Sequence, residues 1–277
     1  MKIKILGSGQ DDGIPQIGCY CKTCNSARKQ KKSRRLGPSI ALISKKEKLC
    51  YLFDVSPDLK YQIDMLKGEG VRVKRKGQLP ISGIFLTHAH FGHCSGIWCL
   101  GRESVDERNL PVFCTPKMGS FLNTNYPFNM LIKRKNIVIK KLIVGREIKM
   151  KNFNLSVFEV PHRNEIADTI GYEIQTKKRV LYIPDVDCWT EEIIDRIKEV
   201  EIAIIDGTFY SKSELSRYND VPHPPIQDTM RRLRGAKTQI YFTHINHTNS
   251  VNTNREKRRY VENRGFHIAY DGMSISV

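Results

Sequence analysis

Leu86-Thr87-His88-Ala89-His90-Phe91-Gly92-His93 places three of the chain's eight histidines within six positions. Neutral imidazole is the commonest protein ligand of transition metals, so this spacing points to a metal centre. His88 and His90 stand two apart, and in extended backbone both rings leave the same side of the chain. His93 then re-enters from the first turn of a helix that follows Gly92. A second group of ligand types is Cys19-Tyr20-Cys21-Lys22-Thr23-Cys24. Three thiols this close suit a soft, tetrahedral ion such as zinc, which requires one further ligand. The bland alternatives are unrelated loop histidines and buried free thiols; clustering argues against both.

These groups need rigid elements behind them. Residues 81–86 form an apolar run, read as a buried strand that ends at the histidines. The same theme recurs, with apolar strands at 155–160, 179–183, 201–205 and 239–242 each ending next to a His or Asp. Side chains at strand tips are held by the sheet and can preset a site. Further strands are expected at 1–6, 39–44, 49–55, 111–114, 137–143 and 169–175, with two short ones closing the chain. Helices are expected at 57–67, 95–102, 116–123, 190–199, 225–233 and 255–263. The loop 7–13 is rich in glycine, a weak phosphate signal with no helix clearly after it. The polar, proline-containing stretch 210–225 reads as a loop placed to cover the site. Asp54 reads equally as a neighbour of the centre or a turn residue. Asp12, Asp187 and Glu214 are secondary candidates, Cys94 is a remote one, and Trp98 and Trp189 read as core.

The chain has 277 residues, enough to bury a substantial core. No apolar run reaches the length of a membrane span, and the N-terminus reads as a strand, so a cytoplasmic protein with no membrane partner is expected. Eight cysteines in that setting favour thiols or metal ligands over disulfides. A formal charge of +17 suits an anionic small-molecule substrate and admits nucleic acid. Its clusters lie at 28–35, 72–76, 133–141 and 255–259, with no RNA- or DNA-binding signature beside them.

The histidine segment resembles the His-x-His-x-Asp-His signature of the metallo-β-lactamase superfamily. Pro161-His162, Ile183-Pro184-Asp185 and Phe242-Thr243-His244 continue that pattern in order. Gly7-Ser8-Gly9-Gln10-Asp11-Asp12-Gly13-Ile14-Pro15-Gln16 and Ala269-Tyr270-Asp271-Gly272-Met273 are similar to the branch holding the pyrroloquinoline quinone biosynthesis protein B and the phosphonate-pathway cyclic phosphodiesterase. One position departs: the signature's Asp falls on Gly92.

The resemblance implies an α/β (α+β) fold, a four-layer αββα sandwich over residues 1–277 as one domain, with a zinc-stapled N-terminal loop at about 15–36. It implies that His88, His90 and His162 hold one catalytic ion, that His93 and His244 hold a second, and that Asp185 bridges them. Zn2+ is expected, with Mn2+ or Fe2+ as alternatives, and Gly92 leaves one ion or two open. His247 is implied as the fourth ligand beside Cys19, Cys21 and Cys24, around one structural zinc. Asp206 and His223 resemble the pair that protonates a leaving oxygen. The implied activity is a metal-dependent hydrolase of a phosphodiester or cyclic phosphate, acting through a metal-bound hydroxide, with His223, Asp206 and Asp185 catalytic. Two rivals stand beside it: an iron-dependent redox or cofactor-maturation enzyme, and an RNA-processing or RNA-binding protein. A homodimer is left open.

Overall fold

The computed structural model describes residues 1–71, 73, 78–214 and 221–277. Most of the 72–76 basic cluster and the middle of the 210–225 loop therefore lie outside the described residues.

Seven strands form the first sheet: β1 (Lys2–Gly7), β2 (Ser39–Ser44), β3 (Leu49–Phe53), β4 (Gly83–Phe85), β5 (Leu110–Cys114), β6 (Ile137–Lys141) and β14 (Ser274–Ser276). Their order is β14-β1-β2-β3-β4-β5-β6. The strands from β14 to β3 pair antiparallel, and those from β3 to β6 pair parallel. The second sheet holds β7 (Ile148–Lys149), β8 (Asn154–Glu159), β9 (Ile170–Gln175), β10 (Arg179–Ile183), β11 (Ile202–Asp206), β12 (Gln239–Thr243) and β13 (Phe266–Ile268). It runs β13-β12-β11-β10-β9-β8-β7, parallel from β13 to β10 and antiparallel beyond.

Period-two side-chain alternation explains the layering. In β2, Ile40 and Leu42 face the second sheet while Ala41 and Ile43 face helices. In β10 and β11, Val180, Tyr182, Ile202 and Ile204 face the first sheet, and Leu181, Ile183, Ala203 and Ile205 face helices. Both faces are buried, so the strands read as unbroken apolar runs. Phe85 fixes the middle of the seam, stacked on Phe53 at 4.8 Å and on Phe113 at 4.4 Å.

The outer face of the first sheet is covered by α2 (Leu59–Asp64), α4 (Pro116–Thr124) and α5 (Phe128–Lys133), through Leu59, Met118, Leu122, Phe128 and Leu131. The outer face of the second is covered by α6 (Glu191–Glu199), α7 (Ile226–Arg232) and α8 (Arg255–Glu262), through Ile193, Ile197, Ile226, Met230 and Val261. The result is the expected four layers. No helix among the described residues is long and apolar enough to cross a membrane.

Several local expectations are corrected. The 81–86 strand shrinks to β4, and the 57–67 helix to α2 with turns on either side. Residues Ser95–Leu100 form a 3-10 helix, not an α-helix over 95–102; Gly96 there lies so close to Val55 and Ser56 that a Cβ would meet the Ser56 carbonyl at 2.1 Å. Helix α1 (Lys22–Lys29), inside the expected N-terminal loop, escapes the pattern because only Cys24 and Ala27 are buried in it. Trp98 is 52% exposed, against its expected place in the core, whereas Trp189 is buried with its indole N–H on Thr229. The basic residues of the 28–35 cluster are exposed apart from Arg35, and two of the arginines serve as internal wiring. Arg35 is buried and donates to Ser8, Ala269 and Asn252, and Arg28 donates to the Cys19 and Gln16 carbonyls.

Candidate metal centre

Six loops at one rim of the two sheets carry the chemistry. Asp54 follows β3, and His88 and His90 follow β4, with His93 in the short helix α3 (Phe91–Cys94). His162 follows β8, Asp185 follows β10, Asp206 ends β11 and His244 follows β12. Open sheets place ligand sites beyond such strand ends because the loops there diverge.

His88, His90, His162 and Asp185 present one ligand atom each, all within 4.8 Å of one another. His162 Nε2 lies 3.2 Å from His90 Nδ1 and 3.1 Å from Asp185 Oδ2, and His88 Nε2 lies 3.5 Å from the same oxygen. Ligands on a tetrahedral zinc with bonds near 2.0–2.1 Å stand about 3.4 Å apart, so the set matches a divalent cation. The donor chemistry agrees. His88 Nε2 and Asp185 Oδ1 are buried with no hydrogen-bond partner, a state that a cation would relieve. Alongside, His93 Nε2 and His244 Nε2 lie 3.2 Å apart and 3.8 and 3.7 Å from Asp185 Oδ2. Asp185 therefore sits between two positions.

The inward nitrogens are set from outside. His88 Nδ1 pairs with Thr87 Oγ1 at 2.9 Å, His93 Nδ1 with Asp54 at 2.8 Å, His162 Nδ1 with Asp187 at 2.7 Å, and His244 Nδ1 with Thr208 Oγ1 at 2.8 Å. Such partners fix ring orientation and tautomer. Burial pushes His88, His93 and His244 down to about 3, which leaves each neutral, the ligand form, at pH 7. Burial alone would raise the Asp185 carboxyl; His244, His223 and His162 outweigh it and hold it well below the usual carboxylate range.

Asp54 is a residue the sequence left undecided. It is fully buried, takes the left-handed φ of 62°, and accepts from the Thr87 N–H and hydroxyl as well as facing His93. Burial pushes its carboxyl up to about 7, against His88 and the Thr87 donors. Asp54→Asn should weaken the ion at His93 by about 10–100-fold, the usual effect of losing an outer partner; metal titration of the variant reads it.

His223 and Asp206 do meet. His223 Nδ1 lies 2.7 Å from Asp206 Oδ2 and 3.3 Å from Asp185 Oδ1. Asp206 is itself fixed by the Val186 and Thr208 backbone N–H groups. Both residues also fall within 4.8 Å of Asp185 and His244. The 2.7 Å separation is a charge-assisted hydrogen bond, so we read them as a paired donor and not as further ligands. Burial would lower His223, but Asp206 and Asp185 outweigh it and raise it to about 9.

Cys19, Cys21, Cys24 and His247 also converge within 4.8 Å. His247 Nδ1 lies 3.5 Å from both Cys19 Sγ and Cys21 Sγ, near the spacing of about 3.6 Å that a tetrahedral zinc imposes on mixed S and N ligands. Cys21 caps α1, its sulfur accepting from the Cys24 N–H. Burial would raise the Cys21 thiol; that N–H and His247 outweigh it and bring it to about 6, favouring the thiolate that binds metal.

The secondary candidates separate. Asp187 orients His162, whereas Glu214 holds the Tyr210 and Ser250 backbone and Asp12 holds the Ile17 N–H. Burial pushes the Cys94 thiol up to about 12, and its sulfur faces the Ala89 carbonyl. The sequence reading missed Asp11, whose carboxylate lies within 4.8 Å of the ring nitrogens of His93 and His244. Of the eight histidines only His267 lies elsewhere, stacked on Tyr241 at 4.6 Å.

Comparison with known proteins fits this geometry. Coenzyme PQQ synthesis protein B of Nitrosococcus oceani is 28% identical, covering 99% of this chain and 99% of the relative. That of Rhizobium meliloti is 25% identical, covering 99% and 97%. The crystal structure of Zn2+-bound PqqB from Methylobacterium extorquens aligns at a TM-score of 0.87 with 23% identity, over 100% of both chains. A diphosphatase of the PhnP family aligns at 0.73 with 22% identity, over 99% of this chain and 96% of its own. By name, these relatives side with the cofactor-maturation expectation more than with the phosphodiesterase one. Residues 50–245 match the family described as the Beta-lactamase superfamily domain, and with strand-tip histidines gathered around Asp185 between two sheets the chain belongs to that superfamily.

Proposed function

We propose that the chain is a metal-dependent enzyme, related in role to coenzyme PQQ synthesis protein B, whose centre performs hydrolysis of an anionic substrate of the phosphodiester or cyclic phosphate class. The observation that carries the hydrolytic part is the His223–Asp206 pair, 2.7 Å apart and packed against Asp185. His88, His90 and His162 would hold one cation, and His93 and His244 a second, with Asp185 available to both. Cys19, Cys21, Cys24 and His247 hold a structural zinc that ties the α1 loop to the loop after β12. Bound cations supply Lewis acidity, bringing the pKa of water to about 7 and offsetting charge on a phosphoryl oxygen.

The chain's own groups do the rest. Asp206 holds the His223 ring in one orientation and favours its protonated form. His223 then gives its proton to the departing oxygen, a role typically worth about 10²–10⁴-fold. The net charge of +17 draws an anion toward the rim.

A second reading is an iron-dependent oxidative enzyme of cofactor maturation. The full-length likeness to coenzyme PQQ synthesis protein B favours it, and a three-histidine, one-carboxylate set also suits iron. Protein purified without added metal separates the two. Zinc or manganese in the centre, cleavage of a bis-aryl or cyclic phosphodiester, and a loss of about 10²-fold or more in His223→Ala support hydrolysis. Iron with oxygen uptake, and no cleavage, supports the second reading.

A further inference from the structure

Gly92 leaves the second position short of the carboxylate that the superfamily's signature would place there. We propose that Asp11, from the opposite end of the fold's chain, is the carboxylate ligand of that position. This rests on the reading that a second cation lies between His93 and His244.

Three observations converge on Asp11. Its carboxylate lies within 4.8 Å of the ligand nitrogens of His93 and His244, which are themselves 3.2 Å apart. Its place is set from the His244 side of the centre. Ile245, next to His244, donates its N–H to the Ser8 carbonyl at 2.8 Å and accepts from the Gln10 N–H at 3.1 Å. The Asn246 amide donates to the Gln10 side chain as well. The loop 7–13 is thereby laced to the His244 loop, and Asp11 follows directly after the last stitch. The third observation concerns space. A Cβ on residue 92 would stand 2.5 Å from both the Cα and the Oδ1 of Asp11. A side chain at 92 is therefore excluded by Asp11, through its backbone as well as its carboxylate. The glycine is the complement of a carboxylate that arrives from another strand tip, and the site keeps its charge.

Asp11 takes a φ of 38°, in the left-handed region that glycine tolerates best. Asp11→Gly thus removes the carboxylate without straining the backbone. Asp11→Asn keeps the shape and removes the charge. Full-length protein treated with chelator is titrated with zinc, and ions per chain are counted by elemental analysis. The wild type should take up two ions at the centre besides the one in the cysteine cluster. Both Asp11 variants should bind one of those two at least about 10-fold more weakly, with the others unchanged. Wild type and both single variants binding two centre ions equally well would overturn the assignment of Asp11 alone. Loss of the ion in Asp11→Gly with full retention in Asp11→Asn would also overturn it, because Asp11 would then act only by placing the loop. A wild type that holds a single centre ion would remove the two-ion reading itself, and the inference with it.

Discussion

Asp185→Ala should leave a folded protein whose active centre retains neither cation firmly, with turnover reduced by well over about 10²-fold, the upper end of what losing even an outer partner does. The reason is geometric. One carboxylate oxygen lies 3.1 Å from His162, 3.5 Å from His88, 3.8 Å from His93 and 3.7 Å from His244. Without it, each position keeps its imidazoles and loses a negative charge that offsets a divalent ion. The same change removes one of the carboxylates beside His223, which keeps Asp206 at 2.7 Å. Elemental analysis and phosphodiester cleavage check the result together. A variant that still holds both ions, with activity within a few-fold of wild type, would remove Asp185 from the middle of the centre.

Cys21→Ala should have the opposite profile. The cysteine cluster offers four protein ligands to an ion, so a bound zinc there has no open position for substrate. Its contribution is to stability, because the binding free energy of a closed site adds to folding. Losing such a metal belongs among the largest single-residue effects, on the order of 4 kcal/mol. For a chain of this size, roughly 2–4 °C per kcal/mol converts that into a fall in Tm of about 10 °C. Zinc per chain should drop by one while the ions at Asp185 remain. The effect should reach the centre only indirectly. α1 and the loop after β12 lose their tie, and that loop carries His244 three residues before His247. Calorimetry with a metal count reads both parts, and an unchanged Tm after verified loss of the ion would exclude a stabilising role.

Much of the site is legible in the sequence. His88 and His90 reveal themselves by a two-residue spacing after an apolar run, and Cys19, Cys21 and Cys24 by three thiols in six positions. Their pattern is local, so sequence reports it. The strands were legible for the same reason: Val180 to Ile183 and Ile202 to Ile205 are apolar at every position because both faces of each sheet are covered. His162, Asp185, His223, His244 and His247 came from a family likeness and not from spacing. Residues that far apart in the chain carry no signal of a shared site, and the structure is what brings them together.

What the sequence could not display is the division of labour among its charged groups. Asp54 and Asp11 each sit in left-handed turns with ordinary turn neighbours, and nothing local marks one as the partner of His93 and the other as facing His93 and His244. Arg35 belongs to a basic run that looks solvated, yet it is buried and bonded inside. The period of two along a strand determines which side chains are buried, and that is written residue by residue. Which strand tips lie side by side depends on sheet order and on loops laced across it, such as Gln10 to Ile245. That information exists only once the chain is folded, so the composition of the centre at its second position was decided by tertiary structure.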